Sequence, residues 1–148
     1  MKAVNKSLEP VLRSAVVESL KNYNLANNDH FLGDLYIYYD SGNQTLTFFD
    51  GVEKELFLLI LNEVSIVWGS DVLQEIKDTA KYILKGLKDE HAFDKEFITK
   101  PFTISLVDND FVVEEELFFI DDPAVKISGD LWSGINRELD EFLKHLMK

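Results

Sequence analysis

The 148-residue chain carries 27 acidic and 15 basic side chains, 46% hydrophobic residues and no cysteine, for a formal net charge of -12. Without cysteine there is no disulfide framework, thiolate metal site, cysteine nucleophile or Cys-x-x-Cys redox pair, and the negative balance works against nucleic acid, whose affinity rests on lysine and arginine neutralising phosphates. Length and an aromatic share of 12% instead predict one globular domain over residues 1–148 that buries its own core.

Near the start, Ser7 suits a helix cap with Pro10 in the opening turn, and Leu8, Val11, Leu12, Ala15, Val16 and Leu20 form one apolar stripe. The spacing predicts a helix from about Leu8 to Tyr23. From Leu35 to Tyr39 the period changes to two, Asp40 to Asn43 supply turn residues, and Gln44 to Phe49 returns, so a β-hairpin is expected. Residues 52–67 hold the run Leu56 to Leu61, which fits a buried strand or a buried helix; the Asp50-Gly51 turn before it favours the strand.

Ser70 and Asp71 open a second helix, lined by Val72, Leu73, Ile76, Ala80, Ile83, Leu84 and Leu87, with Lys77, Lys81, Lys85 and Lys88 on another face. Phe102 to Val107 and Phe111 to Ile120, joined through Asp108-Asn109-Asp110, read as a second hairpin. Leu131, Ile135, Leu139, Phe142, Leu143 and Leu146 predict a last helix from about Asp130 to Met147. The expected fold is α+β: an antiparallel sheet of four to five strands covered by three helices, in the order α-β-β-(β)-α-β-β-α.

No apolar run approaches the ~20 residues that cross a bilayer, and Glu9, Pro10 and Arg13 interrupt what would be the core of an export signal. A soluble, cytoplasmic protein with no membrane association is expected, as a monomer or a homodimer joined through a sheet edge.

Motifs for chemistry are sparse. The chain has no Gly-x-Gly-x-x-Gly and no phosphate-binding Gly-x-x-x-x-Gly-Lys. Gly69-Ser70-Asp71 reads as a helix cap rather than a nucleophile turn. His30, His91 and His145 are too far apart for a local metal motif. Asp108-Asn109-Asp110 begins like a calcium loop, but Phe111, Val112 and Val113 stand where oxygen ligands are required. No catalytic residue, metal or cofactor is assigned.

What stands out is where the charge lies. Asp108, Asp110, Glu114, Glu115, Glu116, Asp121 and Asp122 occur without an intervening lysine or arginine, and Glu114 and Glu116 share a strand parity opposite to Val113 and Leu117. These acids are the expected contact for a basic partner protein, although such charges also keep a hairpin from pairing with other edges. Tyr36 and Tyr38 are candidates for stacking on a ligand. In composition and size the chain resembles the small acidic α+β proteins, including immunity proteins of bacterial toxin systems that mask a cationic enzyme. The expected function is therefore a non-enzymatic, immunity-like acidic binding module. The alternative is a small-molecule-binding or hydrolytic domain with a pocket between sheet and helices.

Overall fold

A computed structural model of the chain describes residues 3–26 and 30–121. The chain divides into two compact units, Met1–Thr99 with Thr103–Phe119, and Lys100–Phe102 with Ile120–Lys148. The core and the site described below belong to the first.

The elements are α1 (Glu9–Ala26), β1 (Leu32–Asp40), β2 (Thr45–Phe49), β3 (Glu55–Ile60), a 3-10 turn at Leu61–Glu63, α2 (Val72–Asp89), β4 (Ile98–Val107) and β5 (Val113–Ile120). The strands form one sheet in the order β3-β2-β1-β4-β5. Residues 52–67 thus contain the favoured strand. The fold is α+β, with two helices among the described residues; the expected helix from Asp130 to Met147 lies outside them.

The sheet is mixed, not antiparallel throughout. β1 runs antiparallel to β2, with Ile37 opposite Phe48, but parallel to β4, with Leu35 beside Ile104 and Ile37 beside Leu106. The reason is the crossover: α2 intervenes between β3 and β4, and a connection of that length returns the chain to run alongside β1 in the same direction. Side-chain alternation reports which face a residue occupies and is blind to strand direction.

Leu35, Ile37, Leu46, Phe48, Ile104 and Leu106 share the fully buried face. They form the core with Leu12, Ala15, Val16 and Leu20 of α1 and Ile76, Ala80, Ile83, Leu84 and Leu87 of α2. α1 packs on α2, β3 and β2.

Both helix starts are held by side chains. α2 begins as its sequence suggests, with Asp71 accepting from the Gln74 N–H at 3.1 Å. At α1 the acceptor is Asn5, whose Oδ1 takes the Ser7 and Leu8 N–H groups at 3.0 and 3.1 Å. Ser7 is drawn away because its hydroxyl donates to Asn5 and accepts the Val67 N–H at 2.9 Å.

Candidate functional site

The parallel pairing of β1 and β4 has a direct effect on what lies at their ends. Parallel strands discharge their loops on the same edge of a sheet, so the turn after β1 and the turn after β4 emerge side by side. Each turn is stiffened by an aspartate. Asp40 Oδ1 accepts the Gly42 and Asn43 N–H groups at 3.0 and 3.2 Å, and its Oδ2 accepts the Asn43 amide at 2.8 Å. These bonds, led by that amide, hold the Asp40 carboxyl below the usual carboxylate range. Asp108 Oδ1 accepts the Asp110 and Val112 N–H groups at 2.8 and 2.9 Å.

Between the turns lies a recess of about 530 Å³. Tyr38, Tyr39 and Ser41 come from the end of β1, Val107, Asp108 and Asn109 from the end of β4, Glu114 from β5, and Leu73 from the first turn of α2. Among the described residues its lining holds two carboxylates and no basic side chain. Tyr39 is steadied by the Gln44 amide, 3.5 Å from its hydroxyl.

The expected acidic contact divides in this structure. Asp110, Glu114 and Glu116 are exposed and Asp108 is half-buried at the recess. Glu115 departs from them. It has the strand parity of buried Leu117 and meets α2, pairing with Lys81 and, at 3.3 Å, with Lys77. The Lys81 bond, opposed by burial and aided by Lys77, pulls its carboxyl down. Asp121 follows β5 and is exposed, in the second unit; Asp122 lies outside the described residues.

The two candidate tyrosines also separate. Tyr38 lines the recess. Tyr36 packs in an aromatic cluster made by Phe111, whose ring stands 6.2 Å from that of Tyr36 and 4.9 Å from that of Phe49 in an edge-to-face contact. Burial, with the charges of Asp34 and Glu53, pushes the Tyr36 hydroxyl up. Phe111 itself sits in the turn before β5, at φ 61°, and not on the strand as its parity suggested.

Another polar centre went unread in the sequence. The buried Glu75 carboxylate accepts the Asn5 amide and the Gly69 N–H, both at 2.9 Å, and the Asp71 N–H at 3.3 Å. Asn5 and Thr79 add a bond at 2.8 Å between the chain start and α2. Gly69 and Asp71 are local to Glu75, but Asn5 is 70 residues from Glu75 and 74 from Thr79, and no local motif marks that union. Its groups are satisfied by one another, which makes it a staple.

Among the described residues no group of His, Asp or Glu side chains is placed to hold a metal ion, and no helix is long and apolar enough to cross a membrane. His91 is exposed and lies 2.8 Å from the Asp94 carboxylate; His145 lies outside the described residues. Comparison with protein-family models, with curated proteins and with solved structures finds no match for this chain.

Proposed function

We propose that this protein is a non-enzymatic acidic binding module that docks a basic protein through the end of the β4–β5 hairpin. Asp108, Asp110, Glu114 and Glu116 form its contact. The observation that carries the reading is the separation of charges on this ribbon. Lys77 and Lys81 are taken up by Glu115, and among the described residues no basic side chain pairs with Asp108, Asp110, Glu114 or Glu116. Glu114 and Glu116 project from an exposed strand position and Asp110 from the turn. A surface of this kind steers an oppositely charged partner and rejects acidic ones. It suits the masking of a cationic enzyme, the mode of the immunity proteins that the chain resembles in composition.

The test is affinity capture from cell extract with the parent and with a Glu114→Lys, Glu116→Lys variant, the captured proteins being identified. The parent is expected to retain a strongly basic protein that the variant loses, with unchanged circular dichroism. Equal capture by both, or capture of acidic proteins only, overturns the proposal.

A further inference from the structure

We infer that the recess between the β1 and β4 turns receives an arginine side chain of the docked partner; this rests on the acidic-contact reading above and gives that contact its anchor. A flat acidic surface gives steering but little discrimination. The recess adds shape. Its volume, about 530 Å³, falls in the ~300–1,000 Å³ span of pockets that enclose ligands.

The lining chemistry selects the occupant. Tyr38, Tyr39, Leu73 and Val107 line it, and because Tyr38 and Tyr39 alternate across β1, one ring with the apolar side chains suits the flat, weakly hydrated face of a guanidinium and the methylene stem that carries it. Acceptors stand at the rim. The Asp108 Oδ1 is committed to its own turn, but its Oδ2 accepts no hydrogen bond from the described residues, and neither does the Glu114 carboxylate nor the Ser41 hydroxyl. A guanidinium offers five N–H groups in a fixed fork, enough to serve both carboxylates and the hydroxyl while stacked on a ring. An ammonium is a compact, strongly hydrated charge and leaves an aromatic face unused. An anion meets two carboxylates and, among the described residues, no cation.

The geometry also depends on the mixed sheet. The β1 and β4 turns are neighbours because the two strands run parallel, and each is fixed by its own aspartate before any ligand arrives. A pre-formed recess avoids the ordering cost that weakens loop-built sites.

The experiment titrates the isotope-labelled protein with three capped tripeptides, glycine flanking arginine, lysine or citrulline, and follows backbone amide resonances. The arginine peptide is expected to move Ser41, Asn109 and Glu114 saturably, and the neutral citrulline peptide to leave them in place. Glu114→Gln is expected to weaken the arginine peptide by about tenfold, the scale of losing one charge-assisted partner. Tyr38→Leu, which keeps an apolar side chain on the strand, weakens it further than Tyr38→Phe does. Equal response to arginine and citrulline overturns the inference, as does a lysine peptide that binds as well as arginine. Shifts confined to Asp110 and Glu116 overturn the recess and leave the acidic contact standing. Failure of the docking proposal reads out separately, as equal capture of basic protein by parent and charge-reversed variant.

Discussion

Glu75 carries the clearest consequences for single residues. Burial pushes its carboxyl up, but the Gly69 N–H, the Asn5 amide and the Asp71 N–H together hold it below the usual carboxylate range. A carboxyl whose folded pKa is depressed stabilises the fold above its unfolded pKa, and the contribution is lost as pH falls through the folded value. Glu75→Gln is therefore expected to cost about 1–3 kcal/mol at neutral pH, measured by urea denaturation. Its difference from the parent should shrink toward pH 3. Gly69→Ala attacks the same centre by steric means, because a Cβ there would stand 2.6 Å from Glu75 Oε2. The carboxylate must swing away from the two N–H groups it accepts, and a loss of similar size is expected.

At the scale of elements, α2 contains a correctable weakness. Gly86 lies in the helix body, and a Cβ added there meets nothing within 4 Å. Gly86→Ala should stabilise the protein by about 0.5–1 kcal/mol through the lower entropy of the unfolded chain, seen as a higher urea midpoint with an unchanged slope. The contact of α2 with β5 through Lys77, Lys81 and Glu115 is weaker than it looks. These side chains are 20%, 39% and 31% exposed, so Glu115→Gln should cost no more than about 1 kcal/mol and less at high salt. The elements themselves were legible wherever a period repeats: the stripe on each helix and the alternation in β1 and β4 are set by which side chains must leave water. Boundaries were less so. Phe111 has the parity of a strand residue, yet it sits in a turn at φ 61° with its ring against Phe49 and Tyr36. Asn5 displaced Ser7 as the cap because Val67, sixty residues away, claims the serine hydroxyl.

For the molecule as a whole, the decisive feature absent from the sequence pattern is the direction of β4 relative to β1. An antiparallel arrangement would send their following turns to opposite edges, so Tyr38 and Asp108 read as members of unrelated groups. The parallel pair joins them at one recess. The charge run was visible in the order of residues, but its division was not: Glu115 turns to α2 because strand parity puts it there, while Glu114 and Glu116 face outward for the same reason. On the proposed reading, that division leaves Glu114 and Glu116 free to meet a basic protein. It has a kinetic signature, since steering between opposite charges weakens as salt shortens the screening length, which is about 10 Å at 0.1 M. The direct check is the association rate constant of the captured basic partner measured from 20 to 500 mM salt. The parent should lose at least about tenfold across that range, and the Glu114→Lys, Glu116→Lys variant should bind slowly with a flat salt dependence. Equal rates and equal salt slopes for the two proteins would contradict the assignment of this surface.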